Sequence, residues 1–354
     1  KSYKNLLKEK LDAVFVCMPN DIAPKVTIEA ISRGLNVFCE KPPGRSVEDI
    51  LNVIDEHKLR SKNKLMYGFN HRYHESVLEA HKIIKSKKFG KVINLKGTYG
   101  KSKLITFNQP DWRTKRRIAG GGVLLDQGIH MLDLMRLFAG EFEIVHSFVS
   151  NNFWNHDVED NAYALMQTKK GVVGFIHSSA TQWRHRFNLE INLERGSLIL
   201  GGILSGTKSY GAETLTIIEA DPDNDRGDPK EQIIRYNHDP SWDSEVSYFL
   251  DCIRKDSKII KGSPDSALRT MLLVNKIYNN DFFSRLSPVI LISGYNSNNE
   301  VYDFFKLKAE NQIIKPGTYN YFRYETTEFD NVSSEKLNEF NAELSSESIN
   351  LEFR

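Results

Sequence analysis

Leu35-Asn-Val-Phe-Cys-Glu-Lys-Pro-Pro43 decides the fold. Leu35 to Cys39 is an apolar run of strand length, and Glu40-Lys41-Pro42-Pro43 stops it, because prolines fix φ, lack N–H donors and keep a helix from starting there. Upstream, Leu11-Asp-Ala-Val-Phe-Val-Cys-Met-Pro19 is a second such run, closed by Pro19-Asn20. Downstream, Leu65-Met-Tyr-Gly-Phe69 is a third, closed by Asn70-His71-Arg72-Tyr73. Apolar runs without alternation suit strands buried on both faces of a parallel sheet. Helical stretches separate them: Pro24 to Arg33, stopped by Gly34, and Val47 to Leu59. Strand, helix, strand, helix, strand at this spacing is a βαβαβ half of a doubly wound α/β sheet, where ligands bind at the carboxyl ends of the strands. Those ends are Pro19-Asn20, Glu40-Lys41-Pro42 and Asn70-His71-Arg72.

The pattern changes after a helix around Ser76 to Ser86. Val92 to Tyr99, Glu143 to Val149, Ala162 to Met166, Val172 to Ser178, Phe187 to Leu193 and Leu215 to Ile218 read as strands without alternating helices. Phe187-Asn-Leu-Glu-Ile-Asn-Leu-Glu194 alternates strictly, one face apolar and one wet. A mostly antiparallel sheet with helices, an α+β domain, is expected. Glu245 to Arg254 and Ser266 to Tyr278 are late helices, the second capped from Ser263-Pro264-Asp265. Ser287 to Arg354 holds eleven Asp/Glu against six Lys/Arg. Pro288 to Ile292 and Tyr319 to Tyr324 there read as strands, and the polar end as weakly ordered.

With 354 residues and a net charge of +2, the chain has ample sequence for a core and no charge bias toward nucleic acid. No apolar run approaches the ~18 residues of a membrane span. Cys17, Cys39 and Cys252 are few, odd in number and widely spaced, which points to a reducing cytoplasm and to neither a disulfide framework nor a zinc site. The chain starts at Lys1 without Met or a signal-type apolar core, so a preceding N-terminal part is expected. No G-x-G-x-x-G turn occurs: Gly120 to Gly122 and Gly201-Gly202 lack its spacing.

Chemistry concentrates in Gly120-Gly-Gly-Val-Leu-Leu-Asp-Gln-Gly-Ile-His-Met-Leu-Asp133. Three glycines let the backbone pass close to a ligand, and an apolar helical run follows. Asp126 and His130 stand four residues apart, one turn on one helix face, with Asp133 three further on. Such a pair reads as a general base with its orienting carboxylate, as a surface ion pair, or as two ligands of a metal that lacks the others.

Glu-Lys-Pro together with Gly-Gly-x-x-x-Asp-x-Gly-x-His-x-x-Asp, about eighty residues apart, resembles the Gfo/Idh/MocA family of NAD(P)-dependent sugar oxidoreductases over roughly residues 8 to 280. The resemblance implies a division into residues 1–75, the later part of a Rossmann dinucleotide-binding domain, 76–286, an α+β substrate and oligomerisation domain, and 287–354, an acidic tail without a family counterpart. It implies NAD or NADP as cofactor and a pyrophosphate turn upstream of Lys1. Lys41 is similar to the family lysine between nicotinamide and substrate hydroxyl, His130 to the acid or base at the reacting carbon, and Asp126 to its partner. Pro19, Asn20, Glu40, Pro42 and Asn70 resemble cofactor-loop positions. Trp112-Arg113 resembles a Trp-Arg near the nicotinamide, and Arg72 is expected at the substrate. No metal is implied.

The expected function is hydride transfer between NAD(P) and a secondary hydroxyl of a sugar, sugar derivative or nucleotide-sugar. The same resemblance also admits an NAD-dependent glycosidase and a non-catalytic sensor. His177, Ser179, Thr181, Trp183 and His185 share a face by period-2 spacing, either a sugar wall or the face of a homo-oligomer. Lys115-Arg116-Arg117 reads as a diphosphate grip or as solvated loop charge, and Trp154 and His156 as pocket residues or structural aromatics.

Overall fold

Parallel strands form where the apolar runs lie. The computed structural model describes residues 2–60, 62–105, 111–223 and 227–281, and the backbone of Val289–Tyr295 and Val301–Lys308. After a short helix α1 (Tyr3–Leu6) come β1 (Ala13–Val16), α2 (Ala23–Ser32), β2 (Asn36–Glu40), α3 (Val47–Leu59) and β3 (Leu65–Gly68). The strands pair in parallel in the order β1-β2-β3. Their carboxyl ends, at Val16, Glu40 and Gly68, lead into Pro19-Asn20, Lys41-Pro42 and Asn70-His71, so the segments singled out by sequence share one edge.

A 3₁₀ turn (Asn70–Tyr73) leads through α4 (Glu75–Ser86) and β4 (Val92–Gly100) to a second 3₁₀ turn (Asp111–Thr114), α5 (Arg116–Ala119), a π-turn (Leu124–Gly128) and α6 (Ile129–Ala139). Then follow β5 (Phe142–Ser150), β6 (Asn161–Thr168), β7 (Val173–Ser179), β8 (Arg186–Leu193), β9 (Gly196–Gly201), β10 (Glu213–Glu219) and β11 (Glu231–Tyr236). Helices α7 (Ser241–Arg254) and α8 (Pro264–Asn279) complete this part, α8 capped by Ser263 Oγ, which accepts from Ser266 N–H. The second sheet has the order β11-β10-β9-β8-β4-β7-β6-β5, antiparallel except for β4 beside β7.

Helix α6 is buried along nearly its whole length and packs between this sheet and α8. Leu124, Leu125, Ile129, Met131, Leu132 and Met135 are almost fully enclosed, so the segment carrying Asp126 and His130 belongs to the core. Helix α7 returns to the first sheet: Phe249 and Cys252, with Ile259, join Phe38, Met66 and Tyr73 in one cluster. Tyr67 N–H donates to Gly262 carbonyl at 2.8 Å beside β3.

Residues 1–284 form one compact unit and 285–354 another. In the second, β12 (Val289–Tyr295) and β13 (Val301–Lys308) pair antiparallel; the first overlaps the strand expected at Pro288 to Ile292, while Tyr319 to Tyr324 and the polar end lie outside the described residues.

Candidate active site

Lys41 arrives at the end of β2 through a cis Lys41–Pro42 bond, and its Nζ donates to the backbone carbonyl of Asp126 at 2.6 Å. The receiving segment is a π-turn, not the α-helix its pattern suggests. The Lys41 ammonium sits on a carbonyl inside this π-turn, whose i→i+5 bond runs from Ile129 N–H to Leu124 carbonyl. The buried Glu159 carboxylate fixes the start of the turn: it accepts from Gly122 N–H at 2.6 Å, Leu124 N–H at 3.0 Å and Tyr278 Oη–H at 2.8 Å. A Cβ at Gly122 would collide with the Glu159 carbonyl, and one at Gly120, whose φ is +84°, with the Arg45 backbone. The glycines therefore admit the protein's own backbone where the sequence suggested a ligand. Asn20 Nδ2 ties the end of β1 to the same turn, donating to Ala119 carbonyl at 2.7 Å.

The expected Asp126–His130 pair does not form. Asp126 Oδ2 accepts from Lys101 Nζ at 2.8 Å and Oδ1 from Arg113 Nε at 3.3 Å. A π-turn holds one residue more than an α-turn, and one residue is about 100° of rotation, so a spacing of four no longer stacks the two side chains. Burial alone would raise the Asp126 carboxyl; Lys101, Lys41 and Arg113 outweigh it and hold the group far below the usual carboxylate range. Asp126 is thus an ionised anchor for cations. Arg113 lies 4.4 Å over the Trp112 ring, which brings the expected Trp-Arg pair to this carboxylate.

His130 is positioned by rings. It stacks on His71, centroids 3.8 Å apart at 12°, and meets Phe69 edge-on at 6.2 Å. Its Nδ1 is buried without a hydrogen-bond partner. His71 Nδ1 lies 3.1 Å from Asn70 Oδ1 and Nε2 3.1 Å from Tyr99 Oη. Asn70 Nδ2 donates to Ser241 Oγ at 3.2 Å; with Asn70 Oδ1 toward the ring, the matching His71 tautomer carries its proton on Nδ1 and accepts from Tyr99 at Nε2. Behind it, His74 Nδ1 meets Glu213 Oε2 at 2.8 Å.

Burial first, then nearby Lys41 and His74, hold His130 well below the ordinary imidazole value. Burial, His130, His74 and Lys41 do the same to His71. Both rings are neutral at neutral pH. Burial also lowers the Lys41 ammonium against the pull of Asp126 and Glu40, and raises the Glu40 carboxyl, whose Oε2 accepts from Lys41 N–H at 3.3 Å.

Arg72, expected at the substrate, instead grips Asp133 with Nε at 2.5 Å and Nη2 at 2.6 Å, and Nη2 reaches Ser266 Oγ at 3.0 Å. In the basic run, Lys115 pairs with Asp111 at 2.9 Å, and Arg116 donates to the Asp157 carboxylate and carbonyl. Sequence reasoning missed Lys101, a buried cation after β4, and the roles of His71, Tyr99 and Gln127, whose Nε2 donates to Tyr210 Oη at 2.6 Å.

A parallel sheet that ends at the lysine, followed by a mostly antiparallel sheet packed on the buried helix that carries the histidine, is a Rossmann-like α/β part joined to an α+β part, and comparison with known proteins agrees. Residues 1–69 match the oxidoreductase family with an NAD-binding Rossmann fold, and residues 77–199 match the Gfo/Idh/MocA C-terminal domain. The chain belongs to the Gfo/Idh/MocA family. It is 29% identical over 166 residues to levoglucosan dehydrogenase of Pseudarthrobacter phenanthrenivorans (46% of this chain, 42% of that one). It is 28% identical over 193 residues to D-glucoside 3-dehydrogenase of Escherichia coli (49% and 53%). It is also 23% identical over 287 residues to myo-inositol 2-dehydrogenase of Thermotoga maritima (77% and 79%). The chain spans about half the length of the first two of these relatives. Levoglucosan dehydrogenase in complex with NADH and levoglucosan superposes with a TM-score of 0.70 at 20% identity, covering 79% of this chain and 80% of that one, which establishes the fold.

Proposed function

We propose that the protein transfers a hydride between NAD or NADP and a secondary hydroxyl of a sugar or polyol. The observation that carries this reading is the convergence on one π-turn of a half-buried lysine and a neutral buried histidine: Lys41 holds the carbonyl of Asp126, and His130 follows four residues later with Nδ1 unpartnered. This donor set fits an alcohol beside a nicotinamide, because oxidation needs a proton acceptor and a cation at the developing alkoxide. The nicotinamide supplies hydride acceptance or donation when bound. The neutral His130 imidazole takes the hydroxyl proton. Lys41 steadies the alkoxide, while Lys101 and Arg113 keep Asp126 ionised and in place. Pro19, Asn20, Glu40, Pro42 and Asn70, on the carboxyl edge of the parallel sheet, would hold the cofactor, with Trp112 and Arg113 near its reactive end.

The test is a screen of sugars, polyols and nucleotide-sugars with full-length protein and each nicotinamide, read at the reduced-cofactor absorbance. Accumulation of reduced cofactor with one substrate class is expected. Release of an aglycone without net cofactor reduction would overturn the dehydrogenase reading in favour of a glycosidase.

The free thiols Cys17, Cys39 and Cys252 support a cytoplasmic site of action. Among the described residues no helix is long and apolar enough to cross a membrane. The outer face of the second sheet supports a homo-oligomer: Ile144, Phe148, Tyr163 and Leu165, on adjacent β5 and β6, expose large apolar side chains, and Tyr163 stacks on His177 of β7 at 4.2 Å. Leu165→Glu would place a charge in this patch, so a lower oligomeric mass by light scattering is expected, with the circular dichroism spectrum unchanged. An unaltered mass would exclude this face.

A further inference from the structure

We propose that Trp183, Phe153 and Trp154 form an outer saccharide subsite, so that the substrate is a glycoside or oligosaccharide whose second ring stacks there. This rests on the sugar-oxidoreductase reading above and specifies its substrate class.

Topology brings the shelf to the site. Strands β4 and β7 run in parallel and end together at Gly100 and Ser179, where β6 begins with Asn161 and β8 with Arg186. Lys101, the cation on Asp126, is the next residue after β4. The segments 151–160 and 180–185 therefore leave the sheet at the end where Lys101 lies. Lys101 N–H donates to Ser179 carbonyl at 2.8 Å, Gln182 N–H to Lys101 carbonyl at 2.9 Å, and Ser102 Oγ lies 3.2 Å from His185 Nε2. Trp183 sits between these anchored residues.

The three rings pack on one another. Phe153 meets Trp154 edge-on at 5.0 Å and Trp183 at 5.6 Å, and the two indoles are 6.3 Å apart. Trp154 is the root: half-buried, it packs against Leu104, Val123, Val158 and Ala180, and its Nε1 donates to Ala180 carbonyl at 2.6 Å. The N–H groups of Phe153 and Trp154 both donate to the buried Asp160 carboxylate at 2.9 Å, which sets the loop before any ligand arrives. Phe153 stays 57% exposed and Trp183 68% exposed.

A scattered exposed aromatic needs no explanation, but a mutually packed set at the sheet end that carries Lys101 does. Exposed Asn152, Asn155, Asp157, Arg184 and Arg186 belong to the same two segments and the start of β8, so polar side chains accompany the rings. An aromatic face accepts the C–H face of a pyranose, and the polar side chains take its hydroxyls.

The test compares glucose with cellobiose, maltose and aryl glucosides, using full-length protein, Trp183→Ala and Phe153→Ala, by turnover and by tryptophan fluorescence titration without cofactor. Trp183→Ala should lower kcat/KM for two-ring substrates by at least about tenfold, through KM, as one lost stacking contact predicts, and leave glucose nearly unchanged. Two-ring ligands should quench the parent protein at lower concentration than glucose. If sugars are oxidised but both variants keep the parent's ratio of two-ring to one-ring kcat/KM, or if no two-ring ligand binds more tightly than glucose, the subsite is wrong. Two-ring binding without turnover would retain the subsite and sink the oxidoreductase reading. A change of oligomeric mass in Trp183→Ala would reassign the shelf to a subunit contact.

Discussion

Lys41→Met and His130→Asn are each expected to lower turnover by about 10²-fold or more, the low end of what a positioned acid or base contributes. That is about 2.7 kcal/mol of transition-state stabilisation, and cofactor affinity should change far less. The pH dependence separates a buried neutral histidine from an exposed one. His130 works as a base in its neutral form, and burial with Lys41 and His74 holds its titration well below the ordinary imidazole value. The acid limb of kcat should therefore lie well under the ordinary imidazole value of about 6.5. Stability follows the same sign. The folded pKa values of His71 and His130 lie below their unfolded values, so the unfolded chain binds protons more readily below pH ~6.5, and stability falls as the medium is acidified through that point. An acid limb at the ordinary imidazole value, or full activity in either variant, would refute the assignment.

The parallel sheet was legible because its strands are apolar runs, two of them stopped by the prolines of Pro-Asn and Lys-Pro-Pro and the third by polar Asn-His-Arg, which opens a 3₁₀ turn. Strand β8 was legible because its alternation is strict and its burial follows it. Strand β9 was missed, for Gly-Ser-Leu-Ile-Leu-Gly reads as a glycine-bounded turn. Strand β11, Glu-Gln-Ile-Ile-Arg-Tyr, was missed because an exposed edge strand has no apolar face to display. At the site, the motifs singled out Lys41 and His130, whereas the contact expected between Asp126 and His130 does not form. An i,i+4 argument presumes α geometry, and the segment is a π-turn whose Asp126 carbonyl meets a lysine 85 residues away in sequence. Lys101 carried no local signal, and His71 stood at a strand end expected to bind ligand but had no role of its own in that reading. A lysine after a strand looks like a solvated end until β4 is brought to the π-turn.

Asp133→Ala is expected to cost about 3–5 kcal/mol of stability, the usual effect of removing one partner of a buried ion pair, and to lower the melting temperature by roughly ten degrees. Asp133 is 1% exposed. Besides the two-pronged grip of Arg72, it accepts from Thr270 Oγ1 at 3.1 Å, and Arg136 Nη1 stands 4.0 Å from its Oδ1. Arg136 keeps Glu141, at 2.5 and 2.9 Å, after the substitution; Arg72 keeps only Ser266 Oγ. The unpaired guanidinium of Arg72 is the source of the loss, so Arg72→Met combined with Asp133→Leu should recover most of it, since an apolar pair of similar volume leaves no buried charge. Activity discriminates further. Arg72 follows His71 in the chain, and Asp133 lies three residues after His130 in α6, so the ion pair clamps the two segments whose imidazoles stack. The apolar double variant should therefore melt near the parent yet turn over more slowly, with its acid limb displaced toward the ordinary imidazole value as water reaches a looser His71–His130 stack. A double variant with the parent's pH profile would restrict the Arg72–Asp133 pair to stability, and an Asp133→Ala protein that melts within a degree of the parent would show that Arg72 finds water or another anion when its partner is gone.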